Sequence, residues 1–315
     1  MKLKAILKKN LRYLFDKQYR FNININKFNL YKSMPDKEVL NNLYYYKFKQ
    51  NIDWSYPKTF NEKMQWLKLY DRNPIYSTMV DKYEVKNYVA SIIGEEYIIP
   101  TIGVYDSFNE IDFKKMPNKF VIKCTHDSGG LVICHDKSKF NKRKAKKKIE
   151  KSLKTNYYYK SREWPYKNVK PRIIIEKYME DKHIKELRDY KFFCFNGKPK
   201  IMYISDNSHR DNQHCCFFDI NYNKLNIKRK DYKEFEQNIE KPHNFNKMIE
   251  FSKKLSKNIP HVRVDWYEVN DKLYFGELTF YTCSGFIPFE TEEWNYKMGE
   301  MLELPKKKIS DDNEK

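Results

Sequence analysis

Residues 262–280 read VRVDWYEVNDKLYFGELTF, and this stretch predicts a β-hairpin whose two faces differ in character. Apolar and polar residues alternate along both arms. Because side chains switch faces at every residue of a strand, each arm has an apolar side and a polar side. With a three-residue turn centred on Asp271, Asp265 pairs directly across from Glu277. The polar side of the hairpin is therefore expected to hold two opposed carboxylates.

Opposed carboxylates need a positive charge between them, because like charges directly across a ladder destabilise it. A divalent cation is the first candidate, since Mg²⁺ takes oxygen ligands from one or two carboxylates and often shares itself with substrate phosphates. The alternative is a solvated hairpin face on which Arg263, paired across from Thr279, neutralises one of the acids. The hairpin alone leaves both interpretations open.

The composition is that of a folded protein with an excess of positive charge. A chain of 315 residues forms one large domain or two to three subdomains, and 40% hydrophobic residues supply a core. The net charge of +20 suits anionic partners such as nucleic acid, a membrane surface or acidic substrates. Lys is abundant together with Asn, Ile and Tyr, so a general compositional bias also explains the charge. No nucleic-acid-binding motif accompanies it, and we expect no nucleic acid as partner.

The cysteines and the N-terminus bear on the compartment. None of the six cysteines forms a CxxC pair, and several lie in apolar runs such as FFCF and LVIC, as is typical of buried free thiols in the cytoplasm. No segment approaches the roughly 20 apolar residues of a transmembrane helix. Residues 1–15 predict a basic amphipathic helix, which either packs against its own domain or rests on the inner face of an anionic membrane.

Two further motifs could hold a nucleotide. Lys123 ends the apolar run FVIK and precedes HDSGG, so its ammonium and the backbone N–H groups of a glycine turn could surround a polyphosphate. Residues 173–179, IIIEKYM, predict an apolar strand whose polar end offers backbone groups to the edge of a purine. Taken alone, an ordinary hairpin turn and an ordinary core strand explain these motifs as well.

The order of the motifs is more specific than any one of them. A strand-borne lysine with a glycine loop, an Ile-Ile-Glu-Lys strand, a Glu-x-Arg and a closing Arg-x-Asp…Glu-x-Thr resemble the ATP-grasp superfamily. DKYEVKNYV, FVIKCTHDSGG, DYKFFCFNGKPK and RVDWY…GELTF make the chain similar to the TupA-like ATP-grasp family of teichuronopeptide and capsular-polysaccharide biosynthesis. The resemblance covers roughly residues 55–300.

The resemblance implies an α+β ATP-grasp fold, with the nucleotide held between two antiparallel-sheet subdomains and a helical region before them. Several antiparallel hairpin patterns in the sequence agree with this fold class. The expected division is a basic helical region at 1–54, an N-terminal subdomain at 55–120, a small lid subdomain at 121–180, a C-terminal subdomain with the metal site at 181–304 and a disordered tail at 305–315.

The resemblance also implies a role for each matching position. Lys82 and Lys123 would contact the phosphates of ATP, and the loop of Ser128, Gly129 and Gly130 would lie over them. The adenine would be surrounded by Glu176, Lys177 and Met179, and the ribose would be bound by Glu186. Asp265 and Glu277 would hold Mg²⁺, with Thr279 where the family usually has Asn, a better metal ligand. Arg263 would stabilise the developing oxyanion, with Lys123 assisting catalysis, and Arg210 would contact phosphate or substrate.

Enzymes of this superfamily activate a carboxylate as an acyl phosphate, which an amine then attacks. The resemblance thus implies an ATP- and Mg²⁺-dependent amide-forming ligase that acts on a precursor of a bacterial surface or capsular polysaccharide. Its substrates would be an anionic glycan or uronic acid and an amino acid or amine. The alternative is a glycosyltransferase of the same biosynthesis, although no predicted strand carries the Asp-x-Asp motif common in such enzymes. A nucleic-acid-binding protein ranks last.

Overall fold

The computed structural model describes residues 2–28, 30–182, 184, 187–206 and 213–307. This part of the chain contains ten α-helices and ten β-strands. The helices are α1 (Lys2–Phe15), α2 (Lys17–Lys27), α3 (Asp36–Phe48), α4 (Phe60–Tyr70), α5 (Ile75–Val80), α6 (Glu84–Ile93), α7 (Lys142–Leu153), α8 (Tyr158–Ser161), α9 (Phe245–Leu255) and α10 (Glu292–Met301).

The strands form two separate antiparallel sheets, which confirms the predicted α+β class. The small sheet has the order β1-β4-β2-β3 and the large sheet the order β10-β9-β5-β6-β7-β8. Their strands are β1 (Thr101–Tyr105), β2 (Phe120–Cys124), β3 (Leu131–Cys134), β4 (Ile173–Lys177), β5 (Arg188–Phe195), β6 (Lys198–Asp206), β7 (Cys215–Asp219), β8 (Lys224–Leu225), β9 (His261–Val269) and β10 (Lys272–Thr279).

The small sheet has its own hydrophobic core beneath helix α7. Ala145 and Ile149, on the apolar stripe of this otherwise Lys-rich helix, are buried together with Ile122 and Ile173 of the sheet. Strand β1 also belongs to this sheet because it pairs with β4. The boundary expected at residue 120 therefore divides the sheet, and a subdomain that begins before β1 describes it better.

The large sheet has one apolar and one polar face. On the apolar face, the register partners Phe192, Val264 and Met202 are fully buried, and helix α9 covers them. The Trp266 indole donates a hydrogen bond to the Ser252 hydroxyl of α9 at 2.9 Å, which satisfies the one polar atom of this buried ring. The apolar face thus anchors the strands and leaves the opposite face available for chemistry.

The hairpin of β9 and β10 has the predicted pairs but not the predicted turn. Asp265 lies opposite Glu277, as expected. The turn contains only Asn270 and Asp271, both with positive φ (50° and 62°), as a type I′ turn requires. A two-residue turn alone would place Gly276 opposite Asp265, but Gly276 forms a β-bulge that shifts the register by one residue.

Helix α1 packs against α2, and α2 and α3 share a small core. Phe21 and Ile25 of α2 are buried against Val39 and Leu43 of α3. In the described part of the chain, no helix is long and apolar enough to cross a membrane. Residues 308–315, most of the expected C-terminal tail, lie outside the described residues.

Candidate active site

The register of the large sheet aligns charged side chains on its polar face. Glu277, Asp265 and Lys191 are consecutive partners across β10, β9 and β5. Asp189 pairs with Tyr267 on the next row of the same face. Because these strands are far apart in sequence, the sheet is what gathers their charges. We call Asp189, Lys191, Arg263, Asp265 and Glu277 the acidic cluster.

Arg263 lies between the two opposed acids of the hairpin. Its Nε and Nη2 donate to Oδ1 and Oδ2 of Asp265, both at 2.6 Å, which is a bidentate pair. Nη2 also contacts Glu277 Oε1 at 3.0 Å and the Thr279 hydroxyl at 3.0 Å. Burial opposes the charged form of Asp265, but Arg263 and Lys191 outweigh it and hold its pKa below the usual value. The guanidinium thus supplies the positive charge that the sequence required between the acids.

Lys191 completes this cluster and was not predicted. Its ammonium contacts Asp265 Oδ2 at 2.9 Å and Asp189 Oδ1 at 3.0 Å. Burial would lower the pKa of Lys191, but the charges of Asp189 and Asp265 raise it well above the usual value. In the sequence, Lys191 interrupts the apolar run YKFFCF at the strand period of Asp189, and this alternation is the signal for a polar face.

A second group, the basic cluster of Lys82, Lys86, Lys123 and Glu176, lies at the small sheet. The Glu176 carboxylate, on a side chain 6% exposed, pairs with Lys123 at 2.7 Å and also with Lys86. Burial opposes ionisation of Glu176, but the charges of Lys123 and Lys86 outweigh it and lower its pKa to about 2. In this structure Glu176 positions two lysines. Lys86 was not predicted, because it is an ordinary helical lysine until the sheet folds against it.

Lys82 connects the start of α6 to the glycine loop. Its ammonium contacts the Asp127 carbonyl, and its backbone N–H donates to the Thr125 carbonyl at 3.1 Å. Arg172 fixes the same turn through Asp81 and Glu84, both at 2.8 Å. Burial lowers the pKa of Lys82, and the charge of Glu277 partly offsets this.

The glycine loop has an exposed tip on a fixed base. Ser128 and Gly129 are exposed, whereas the Gly130 N–H donates to both Asp127 oxygens at 3.0 and 3.1 Å. A Cβ on Gly130 would lie 2.5 Å from Cys124 Sγ, so only glycine fits there. The loop therefore has a steric reason for Gly130 that applies with or without a ligand.

Charge interactions place the basic cluster and the acidic cluster near each other, and we call the space between them the cleft. Burial alone would lower the pKa of Lys123, but the charge of the neighbouring Glu176 and those of Glu277 and Asp189 on the large sheet raise it above the usual value. Lys82 likewise interacts with Glu277. Glu277 thus interacts with charged residues of both sheets. The predicted positions that the structure brings together are 82, 123, 263, 265, 277 and 279.

The remaining predicted positions either belong to neither cluster or lie outside the described residues. Lys177 is exposed at the end of β4, where its backbone N–H donates to the Pro100 carbonyl at 3.0 Å, and Met179 is half-buried after it. Glu186 and Arg210 lie outside the described residues. Their expected roles at the ribose and at the phosphate or substrate stay predictions.

The donor set fits a cation that is shared with a ligand. The described residues contain no group of three or more His, Cys, Asp and Glu side chains able to hold a metal alone. Glu277 is 49% exposed in its side chain, and among the described contacts its Oε2 takes part in no hydrogen bond. Such a half-used carboxylate suits Mg²⁺, which takes one or two protein carboxylates and completes its shell with phosphates and water. Thr279 already donates its hydroxyl to Glu277 Oε1 at 2.8 Å.

Two buried ionisable side chains that were not foreseen from the sequence, Lys68 and Glu163, lie near each other after folding. Lys68 is fully buried and donates to Gln65 Oε1 and to the carbonyls of Ser161 and Ser284, at 2.7 to 2.9 Å. Burial lowers its pKa to about 7, against the opposing charge of Glu163. Glu163 accepts from the Ser284 hydroxyl at 2.6 Å. Through these contacts with Ser284, Lys68 and Glu163 both hold the segment after β10, in which Ser284 has a left-handed φ of 55°.

The family can be assigned from the whole sequence. The sequence model of the TupA-like ATP-grasp family matches residues 62–303. The chain belongs to this family. Membership confirms the predicted TupA-like ATP-grasp family and the α+β ATP-grasp fold. Residues 1–61, with helices α1 to α3, lie outside the matched region.

The solved structures similar to this TupA-like chain include ligases and a synthetase by their titles. D-alanine–D-alanine ligase from Bacillus anthracis is 18% identical over 66% of this chain and 59% of its own, with a TM-score of 0.36. D-cycloserine synthetase DcsG is 12% identical over 72% and 71%, with a TM-score of 0.40. ATP-grasp ligase PsnB, solved with Mg and ADP, is 7% identical over 66% and 51%, with a TM-score of 0.34.

The chain spans 55% to 62% of the length of the first three D-alanine–D-alanine ligase structures that it matches. Since all these TM-scores are below 0.5, the assignment rests on the family match. No curated protein matches the chain.

Proposed function

We propose that this TupA-like protein is an ATP-dependent carboxylate–amine ligase that modifies a precursor of a bacterial surface or capsular polysaccharide. The observation that carries the proposal is the convergence of the basic cluster and the acidic cluster on Glu277. Lysines on one side suit phosphates, and carboxylates on the other suit Mg²⁺. A cleft with both is what Mg-ATP requires.

ATP would lie between the two sheets. Lys82 and Lys123 would contact its phosphates, with the loop of Ser128, Gly129 and Gly130 over them. Glu176 would keep Lys123 in place, as its 2.7 Å ion pair does now. Lys177 and Met179 would line the adenine pocket, and Glu186 and Arg210 keep the roles that the resemblance gives them.

Mg²⁺ would be held by Glu277, Asp265 and, with less donor strength, Thr279, and would neutralise the charge of the transferring phosphate. Arg263 keeps these acids in place. Its Nη1 points away from them to the Thr282 hydroxyl at 3.3 Å and the Tyr203 hydroxyl at 3.5 Å. This second edge of the guanidinium is the one we assign to the developing oxyanion.

The proposed reaction has two steps. The substrate carboxylate attacks the γ-phosphorus of ATP, the bond to the bridging oxygen breaks and ADP leaves. The amine then attacks the acyl carbon, loses a proton and expels phosphate, which leaves an amide. Lys82 and Lys123 offset the negative charge of the first step, and Arg263 that of the second.

The identity of the glycan substrate is the most specific part of the proposal. An anionic glycan or uronic acid suits a chain with a net charge of +20. The six cysteines are all free and five of them are buried, which supports a reducing compartment such as the cytoplasm. An amino acid or amine would be the second substrate.

The test is Mg-ATP turnover with a panel of uronic acids and amino acids, in which ADP and phosphate are measured. We expect both products only when a suitable carboxylate and amine are present together. Lys123→Ala and Glu277→Gln should each lower the rate by about 10²–10³. Lys139→Ala, at a side chain 85% exposed on the same subdomain, is the matched control and should keep full activity.

Two outcomes would contradict the proposal. Formation of AMP and pyrophosphate would exclude an acyl phosphate route. Equal turnover by wild type, Lys123→Ala and Glu277→Gln would refute the site. A parallel assay with sugar nucleotides tests the glycosyltransferase alternative, which predicts release of a nucleoside diphosphate without consumption of ATP.

A further inference from the structure

Exposed apolar residues are concentrated at the N-terminus. Of the fourteen large hydrophobic residues that are exposed in the described part of the chain, five lie on helix α1. They are Ile6, Leu7, Leu11, Leu14 and Phe15, with exposures from 54% to 83%. Two more, Phe28 and Leu30, follow shortly after α2. Scattered exposed apolar residues are normal in soluble proteins, but a contiguous set of this kind marks an interaction site.

Most of these residues share one face of α1. Leu7, Leu11 and Leu14 are spaced at i, i+4 and i+7, which places them along one side of the helix, and Phe15 continues it four residues after Leu11. Tyr13, the only half-buried residue of α1 with a described side chain, lies about 100° to 160° around the helix from the leucines. The leucine face is therefore not the face that packs.

Contacts with α2 hold α1 in this orientation. The Tyr13 hydroxyl donates to Asn24 Oδ1 at 2.7 Å. Arg20 donates to the carbonyl of Leu14 at 2.7 Å and so caps the C-terminal end of α1. Helix α2 is in turn anchored by its buried Phe21 and Ile25. Because α2 is fixed to the protein, the leucine face of α1 stays turned to solvent and is not covered by the core.

The charge around this face identifies what covers it. Residues 1–35 contain nine Lys and Arg and a single acid, Asp16, which is paired with Arg12 at 3.1 Å. Lys8 is exposed on α1 about 60° to 120° around the helix from the leucines, and Lys9 is exposed about 140° to 160° from them, within one helix diameter of that face. A second copy of the chain would bring the same positive charge against it. An anionic lipid surface offers both an apolar layer and the opposite charge.

We infer that α1 lies in the headgroup region of an anionic bilayer, with Leu7, Leu11, Leu14 and Phe15 inserted, Lys8 at the lipid phosphates and the charge of Lys9 within a helix diameter of them. A helix of 14 residues is about 21 Å long, less than the roughly 30 Å of a hydrocarbon core, so it lies in the plane of the membrane. The segment is outside the region matched by the family model, and the inference is independent of the proposed reaction.

Sedimentation of the full-length protein with vesicles tests the inference. We expect binding to vesicles of equal parts phosphatidylglycerol and phosphatidylcholine, and at least about tenfold weaker binding to phosphatidylcholine alone. Leu11→Glu with Leu14→Glu should abolish binding. The matched control is Ile220→Glu with Tyr296→Glu, which adds the same charge at two other exposed apolar residues and should bind like wild type.

A second pair of variants separates a local charge effect from the general charge of the chain. Lys8→Ala with Lys9→Ala should weaken binding to the anionic vesicles by about thirtyfold. Lys144→Ala with Lys148→Ala removes the same charge from the exposed face of α7 and should change it by less than about threefold. Equal losses from both pairs would overturn the inference, because any basic surface would then serve.

Two measurements keep the result interpretable. All variants should retain the wild-type unfolding midpoint and ATP turnover, since every substituted side chain is exposed and none belongs to the acidic or the basic cluster. Light scattering in the absence of vesicles should give the same mass for wild type and for Leu11→Glu with Leu14→Glu. A dimer that these substitutions convert to a monomer, without vesicle binding by wild type, would assign the face to a second copy and overturn the inference.

Discussion

The basic cluster of the small sheet and the acidic cluster of the large sheet are built in opposite ways. The basic cluster holds three lysines and one carboxylate, Glu176, which pairs with Lys86 and Lys123, while Lys82 contacts the Asp127 carbonyl. In the acidic cluster three carboxylates share two cations, Arg263 and Lys191. Each cluster is nearly neutralised inside its own subdomain and retains a small excess of one sign. The excess charges face each other, which suits a ligand that is itself an anion bearing a cation.

Within the clusters, some residues stabilise the folded structure, whereas others are exposed and able to bind a ligand. Asp265 and Glu176 have side chains 1% and 6% exposed, and their charges are met by protein partners. Glu277 is 49% exposed and meets the same Arg263 with only one oxygen. Substitutions should therefore affect folding most at the buried members and binding most at Glu277.

The largest effect on folding is expected for Arg263→Met. It leaves Asp265 buried without its bidentate partner, and loss of one member of a buried ion pair costs about 3–5 kcal/mol. The free energy of unfolding in urea measures this. Arg143→Met, on the exposed face of α7, is the control and should change stability by less than about 0.5 kcal/mol. A loss below about 1 kcal/mol at Arg263 would show that the acidic cluster does not depend on it.

Glu176→Gln should show the next largest effect, and only where Glu176 is ionised. Its folded pKa of about 2 is below the ordinary 4.5, so its ionisation stabilises the fold above about pH 5, on the order of 3 kcal/mol. This contribution is lost as the pH falls towards 2. The difference in unfolding free energy between wild type and variant should shrink from about pH 6 to about pH 3.

The control for this prediction is Glu150→Gln, which removes an acid 41% exposed and paired with Lys146 at 3.6 Å. It should be nearly neutral at both pH values because exposed pairs contribute little. A difference at Glu176 that stays constant with pH would mean that its charge is not what stabilises the basic cluster.

Gly276→Ala should have a smaller effect on the acidic cluster. A Cβ at this bulge would lie 3.0 Å from the Asp265 carbonyl oxygen and 3.1 Å from Tyr267 Cε2, so the strands must shift. We expect a loss of about 1–2 kcal/mol in unfolding free energy. Gly129→Ala is the matched control, since its Cβ would meet nothing closer than 3.8 Å. Equal stability of both variants would indicate that the bulge has room for a side chain.

Glu277→Gln should have the smallest effect on folding and a clear effect on the cation. Its exposed contact with Arg263 contributes less than about 1 kcal/mol to stability. The Mg²⁺ concentration for half-maximal ATP turnover should rise at least about tenfold. Thr279→Ala, beside it, keeps both carboxylates and should raise it less. An unchanged Mg²⁺ requirement in Glu277→Gln would place the cation elsewhere.

The sequence predicted what depends on local pattern. Alternation along β9 and β10 was enough to oppose Asp265 and Glu277, and the apolar run before Lys123 was enough to place it beside the glycine loop. Lys86 and Lys191 could not be assigned in this way. Their partners come from strands far away in the sequence, so their roles exist only once the sheets have formed.

At the hairpin, the sequence predicted the right pair of acids but the wrong turn. The expected three-residue turn and the observed two-residue turn with a bulge give the same pairs beyond the bulge, among them Glu277 with Asp265, but differ by one residue between the turn and Gly276. The signal for the bulge was present. Apolar residues fall on Leu273 and Phe275, then on Leu278 and Phe280, so the period of two changes phase at the intervening glycine.

Gly276 is consequently a spare residue in the hairpin. It opposes no partner of its own, so a chain without it would join Phe275 directly to Glu277 and still place Glu277 opposite Asp265. Loss of a residue from the turn instead would shift the whole of β10 by one position and turn its acid towards the core. When TupA-like sequences are aligned, a one-residue gap in this hairpin therefore belongs at Gly276, where the strand can shorten without moving the acids apart.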